Sequence, residues 1–217
     1  MKITCISDTH NQHLHIPPDW LEGGDVLVHA GDVSGRGTLK EIEAFLEWFN
    51  EQPYTHKIMI AGNHDFWFER TTAFVVNEML QEKYPNITYL NDTGIEIDGV
   101  KFWGSPVQPW FYDWAFNRMG TDICRHWDMI PLDTDVLITH GPMKGILDMT
   151  TRGVSTGCPY LLEKSAEMTN LKLFVCGHIH EAYGKFEFPD GGVFVNASTL
   201  NFNYQVQNKP IVVEIKK

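Results

Sequence analysis

The sequence predicts an α/β protein, and three observations carry that prediction. Apolar, β-branched runs alternate along the chain with stretches of helical spacing. Five of the apolar runs break off into Asp, Asn, His and Gly. With 217 residues, 43% of them hydrophobic and 21% charged, the chain has the composition of one globular domain, expected to span 1–217. It carries no repeat, low-complexity run or linker.

In chain order, Ile3-Thr4-Cys5-Ile6 lies in a predicted strand over 2–7 that ends in Ser7-Asp8-Thr9-His10. A polar loop with Pro17-Pro18 leads to a strand over 25–30, which ends in Gly31-Asp32. Beyond Gly35 and Gly37, Leu39, Ile42, Phe45, Leu46 and Phe49 recur at helical spacing, and Pro53 follows. A strand over 57–61 ends in Gly62-Asn63-His64-Asp65, and a second helix fits 71–83, before Pro85. Short strands fit 87–90, 94–97 and 100–103, the last two joined by a turn at Asp98-Gly99. Residues 105–131 show no period and read as an irregular loop with a short helix before Pro131. A strand over 135–139 ends in His140-Gly141, followed by a long polar loop over 141–158 and a helix over 159–168. A strand over 172–176 ends in Gly177-His178-Ile179-His180. Strands over 183–188, 192–196 and 211–215 complete the chain, with a turn at Asp190-Gly191-Gly192.

A carboxylate and an imidazole two residues apart can turn toward one point where a chain leaves a strand. In open α/β sheets that edge is where ligands bind. One such stretch could be a turn with a surface histidine, since Gly, Asn and Asp are turn residues. Five stretches of the same grammar in one chain point to metal ligation. As a set, Asp8-x-His10, Gly31-Asp32, Gly62-Asn63-His64-Asp65, His140 and Gly177-His178-Ile179-His180 resemble the five motifs of the calcineurin-like metallophosphoesterases. Gly157-Cys158-Pro159-x-Leu161-Leu162-Glu163, ahead of Gly177-His178-Ile179-His180-Glu181-Ala182-Tyr183-Gly184, resembles the branch called metallophosphoesterase-domain-containing proteins.

That resemblance implies a four-layer sandwich: two mixed β-sheets flanked by helices, with the site at one end of the strands. It also implies two divalent transition-metal ions. Asp8, His10, Asp32 and His180 would hold one; Asp32, Asn63, His140 and His178 would hold the other, with Asp32 as the bridge. Two ions roughly 3.5–4 Å apart neutralise a phosphate ester and lower the pKa of a shared water. Mixed imidazole and oxygen donors suit Mn, Fe, Zn, Co or Ni better than Mg or Ca, and Mn is favoured. His64 would serve the leaving oxygen, with Asp65 orienting it. The expected reaction is hydrolysis of a small phosphodiester, a cyclic nucleotide among the candidates, by a metal-bridging hydroxide. The alternatives are a phosphomonoesterase or protein phosphatase with the same metals, and a non-catalytic scaffold. A scaffold is expected to have lost ligands that are all present here.

His13, His15, His56 and His126 read as solvated, and His29 as a satisfied core residue. Arg36, Arg70, Lys144 and Arg152 follow motifs and could meet phosphate, or be ordinary surface charge. Trp110, Phe111, Tyr112 and Trp114 could pack as a cap or offer a platform on which Trp110 and Tyr112 stack a substrate ring. The net charge of -11 argues against long nucleic acid as the partner. No apolar run is long enough to span a bilayer, so no membrane partner is expected. Four cysteines without a Cys-x-x-Cys pair, and a first strand that begins at once, lead to the expectation of a cytoplasmic protein.

Overall fold

The computed structural model describes residues 1–189 and 191–216. Its first strand, β1 (Lys2–Ile6), shows the rule that builds both sheets. Successive side chains point to opposite faces of a strand. Ile3 and Cys5 therefore enter one apolar cluster and Ile6 another.

After β2 (Gly24–Ala30), helix α1 (Leu39–Glu51) starts at Thr38 rather than at the glycines before it. Thr38 accepts from the Glu41 amide at 3.4 Å, and the Glu41 carboxylate accepts from the Thr38 amide at 2.9 Å. Strand β3 (Tyr54–Ile60) is followed by two helices where one was predicted, α2 (Phe66–Arg70) and α3 (Ala73–Lys83). Thr71 is extended, and Thr72 caps α3 by accepting from the Val75 amide, so the backbone restarts there. Strands β4 (Ile87–Tyr89), β5 (Thr93–Ile97) and β6 (Val100–Ser105) follow.

The aperiodic stretch contains a ribbon of β7 (Gln108–Pro109) and β8 (Asn117–Arg118), then α4 (Cys124–Trp127). Two paired residues per strand leave no period to detect. The chain ends with β9 (Val136–Thr139), α5 (Pro159–Ser165), β10 (Leu173–Cys176), β11 (Gly184–Glu187), β12 (Val193–Asn196) and β13 (Ile211–Glu214). The turn predicted at Asp190-Gly191-Gly192 begins at Asp190, which lies outside the described residues.

Among the described residues the strands form two mixed sheets, ordered β13-β1-β2-β3-β4 and β11-β12-β10-β9-β6-β5. β1, β2 and β3 run parallel, as do β6, β9, β10 and β12, while β13, β11 and β5 pair antiparallel. Val26, Val28, Ile58 and Ile60 of the first sheet meet Phe102, Val136, Ile138 and Val175 of the second. The outer face of the first sheet packs on Ile42, Phe45 and Phe49 of α1 and Leu80 of α3. The outer face of the second packs on Trp127 of α4 and Leu161 of α5. The result is the predicted sandwich of helix, sheet, sheet and helix. Among the described residues no helix is long and apolar enough to cross a membrane.

Candidate metal centre

The C-terminal ends of β1, β2, β3, β9 and β10 come together at one end of the sandwich. Asp8, His10 and His180 form one cluster of possible ligand atoms, and Asp32, His140 and His178 form another. A third, overlapping cluster joins His10, Asp32 and His64. Asp32 Oδ2 lies 3.5 Å from His10 Nε2 and 3.3 Å from His140 Nε2, so one oxygen faces both halves. Asn63 Oδ1 lies 2.9 Å from His140 Nε2. The seven predicted ligand residues are therefore brought to one end of the sandwich.

The backbone bends sharply to do this. Asp8, His10, Asp32 and His178 have φ of 53°, 40°, 57° and 67°. Side chains rarely adopt this left-handed region, and such strain collects at functional sites. Gly177 is required for another reason: a Cβ there would lie 2.1 Å from Asp8 Oδ2 and 2.1 Å from Ser7 Oγ.

The tautomers follow from hydrogen bonds. His10, His140 and His180 each direct Nδ1 at a backbone carbonyl, of Ser34 (3.2 Å), Ala30 (2.9 Å) and Asn201 (3.1 Å). A carbonyl only accepts, so each Nδ1 carries the proton and each Nε2 presents a lone pair inward. His10 Nε2 and His180 Nε2 face one another at 3.3 Å. Two converging lone pairs demand a proton or a cation between them.

The charges make the same demand. Burial would raise the carboxyl pKa values of Asp8 and Asp32, but His180 beside Asp8 and His140 beside Asp32 hold both below the usual range. Burial would lower His140, yet Asp32 and then Asp8 push it up to about 9. Two buried carboxylates thus require positive charge at His140, either a proton or a cation in its place. Burial pulls His10 down to about 4 and His178 to about 3, leaving them neutral donors. Neutral imidazoles, carboxylates and an amide oxygen fit borderline divalent ions.

The sequence model of the calcineurin-like phosphoesterase family matches residues 1–182, which include all of these ligand motifs. The chain belongs to that family. Human metallophosphoesterase domain-containing protein 1 is 37% identical to this phosphoesterase, over 99% of the chain and 71% of the human protein. UPF0046 protein K07C11.7 of Caenorhabditis elegans is also 37% identical, over 100% of the chain and 76% of its own length. A solved crystal structure that is 14% identical superposes with a TM-score of 0.66, covering 99% of both chains, and shares the fold.

Around the ligands, the phosphoesterase has groups that sequence reasoning missed. Asp8 accepts from the His178 amide at 3.1 and 3.0 Å and from Ser198 Oγ at 2.7 Å. The Ser198 amide donates to Asn196 Oδ1 at 3.2 Å. Phe194-Val195-Asn196-Ala197-Ser198 is a further apolar run that breaks into polar residues, so the signal was present. Tyr204, with φ of 58°, sets its ring edge against His10 and His180 at 5.1 and 5.0 Å.

His64 directs Nδ1 at the Gly35 carbonyl (2.9 Å), and its amide donates to Asp32 Oδ1 at 2.7 Å. Its ring stacks on Trp114, with centroids 4.2 Å apart, and meets His10 edge-on at 4.6 Å. The expectation that Asp65 orients this ring is corrected, because the Gly35 carbonyl does so. The Asp65 carboxylate instead accepts from the Val33 amide, the Ser34 amide and hydroxyl, and the Gly62 amide, at 3.2, 3.0, 2.6 and 2.9 Å. It ties the loop after β2 to the loop after β3.

Two other expectations change. Trp110 and Phe111 line a cleft beside His178, whereas Tyr112 points its ring at Phe111, 4.6 Å away. Arg36 stands exposed on the loop after Asp32. His13 and His126 are not solvated. His13 is buried against Phe45 and Trp48, and His126 binds Asp92 at 2.8 Å while accepting from Arg118 Nε at 3.0 Å. His29 is the satisfied core histidine expected: it accepts from the Gly31 amide at 3.2 Å and lies 3.1 Å from Thr9 Oγ1.

Proposed function

We propose that this phosphoesterase hydrolyses a small phosphodiester at a centre of two divalent transition ions, manganese favoured. The observation that carries the reading is the single oxygen of Asp32 facing His10 and His140 from between two ligand clusters. Asp8, His10, Asp32 and His180 would hold one ion; Asp32, Asn63, His140 and His178 would hold the other. When bound, such ions neutralise the ester oxygens and lower the pKa of water. The chain supplies the remainder. The carbonyls behind His10, His140 and His180 hold their Nε2 atoms aimed inward. His64 directs Nδ1 at the Gly35 carbonyl in the same way, so its Nε2 is the free ring nitrogen; with both nitrogens protonated, the imidazolium would pass its Nε2 proton to the departing alcohol oxygen and return to the neutral ring. Trp114 keeps that imidazole from turning.

The preference for a diester rests on charge. The cleft beside His178 is lined by no Lys or Arg, which suits a singly charged ester better than a doubly charged one. A net charge of -11 sets the whole chain against long nucleic acid. The four free cysteines suit a reducing compartment such as the cytoplasm. The test compares bis(p-nitrophenyl) phosphate with p-nitrophenyl phosphate, on protein stripped by a chelator and then reloaded with Mn. Hydrolysis should vanish on stripping, return on loading, and favour the diester. Faster release from the monoester would replace the reading with a phosphomonoesterase.

A further inference from the structure

Beside the metal centre lies a cleft of 300 Å³, and its chemistry is unlike that of the ligands. Its lining includes Trp110, Phe111, Pro142 and Ile179, with His178 at the end where it meets the centre. No Asp, Glu, Lys or Arg lines it. That volume is at the small end of ligand pockets, and a flat, mostly apolar wall selects a ring. Trp110 and Phe111 are half-exposed, at 56% and 50%, so part of each ring is open to a ligand. Phe111 stands edge-on to His178, with centroids 6.2 Å apart.

The wall is fixed in advance. The Trp110 amide donates to the Arg118 carbonyl at 3.0 Å, and the Gln108 amide to the Phe116 carbonyl at 3.2 Å. Asn117 Nδ2 donates to the carbonyls of Phe111 and Tyr112, at 3.2 and 2.9 Å. Behind the ribbon, Arg118 is anchored on His126, His126 on Asp92, and Asp92 accepts from Ser105 Oγ at 2.6 Å. A preorganised wall of this kind loses little freedom when a ligand settles on it.

The side on which the cleft opens decides what enters it. His64 clusters with His10 and Asp32, whereas His178 clusters with Asp32 and His140. The leaving oxygen of an in-line displacement must reach His64 for its proton. A substituent lying beside His178 is then the one that stays on phosphorus. Resting on the function proposed above, we infer that this cleft binds the retained substituent of the diester, and that this substituent is a flat, uncharged aromatic ring. The product would be an aryl-type phosphate monoester whose ring lies on Trp110 and Phe111.

The experiment keeps the leaving group constant and varies what is retained. Methyl p-nitrophenyl phosphate and phenyl p-nitrophenyl phosphate both release p-nitrophenolate. The Mn-loaded enzyme should show a kcat/KM roughly ten-fold or more in favour of the phenyl ester, the scale of one stacked ring. Trp110→Ala and Phe111→Ala, each verified by circular dichroism and metal content, should lower kcat/KM for the phenyl ester roughly ten-fold more than for the methyl ester, erasing that preference. Tyr112→Ala should keep it. Binding gives a second readout: phenyl phosphate should quench tryptophan fluorescence at lower concentration than methyl phosphate, and Trp110→Ala should remove the difference. Equal losses on both esters would overturn the assignment, because the cleft would then hold the leaving ring or only support the fold. A wild-type enzyme indifferent to the retained group would overturn it too. Hydrolysis of neither ester would instead count against the phosphodiesterase reading itself.

Discussion

Asp32 is the residue that would join both halves of the proposed centre, since its Oδ2 faces His10 and His140 alike. Asp32→Asn should lose activity and at least one ion together, measured by metal analysis alongside rates. His64→Ala should keep both ions and slow turnover by roughly 10²–10⁴-fold, the usual scale for a proton donor. Loss of an ion in that variant would reassign His64 as a ligand. His140 gives a sign for pH. Its imidazole is pushed up to about 9 by Asp32 and Asp8, against burial, so below that pH a proton competes with the cation for Nε2. Metal loading near neutral pH should therefore release protons, and affinity should rise as pH climbs toward about 9. Calorimetric heats that do not change between buffers of different ionisation enthalpy would contradict this. The candidate ligands were legible because each follows an apolar run. Asp65 was not, because its contact with His64 came from the resemblance alone, and the turn directs the carboxylate elsewhere, toward the Val33 and Ser34 amides.

At the scale of elements, the centre depends on strand ends approaching closer than a methyl group allows. Gly177→Ala would drive a Cβ to 2.1 Å from the Asp8 carboxylate and 2.1 Å from Ser7 Oγ, two buried side chains that hydrogen bonds to Ser198 and Gly31 hold in place. We expect a loss of roughly 1–3 kcal/mol in stability, as overpacked sites show, together with weaker metal binding, read by denaturant melts and metal titration. Thr38→Ala is the contrast. It removes a helix cap remote from the clusters and should cost about 1 kcal/mol with rates unchanged. Strands were legible to within a few residues, because alternation and the breaks into Asp, His and Gly both mark them. Helix α2 was not, because five residues, Phe66–Arg70, directly after the Gly62-Asn63-His64-Asp65 break are too few to show a helical period. The ribbon of β7 and β8 escaped for a different reason: Asn117 side-chain bonds hold it, and no hydrophobic period does.

Across the whole molecule, buried neutral histidines make stability fall in acid. Burial pushes His29 down to about 3 and His13 to about 4. The unfolded chain takes up these protons first, near the ordinary value of about 6.5. Above that pH there is no penalty. Below it, each histidine removes up to about 1.4 kcal/mol per pH unit until its folded pKa is reached. His13 contributes the smaller share, being less deeply enclosed. His13→Phe should flatten the decline in melting midpoint between about pH 6.5 and its folded value of about 4, and an unchanged slope would contradict the account. Polar neighbours Asn11, Gln12 and His15 made His13 look solvated. Only the packing on Phe45 and Trp48 shows otherwise. The central claim remains the pairing of two clusters through Asp32. Its most direct test is the metal content per chain of gel-filtered protein after Mn loading, in wild type and in Asp32→Asn. The account predicts close to two ions in the wild type, and fewer in the variant with activity lost in step. One ion per chain in a fully active wild type, or full activity in a chain stripped of metal, would contradict it.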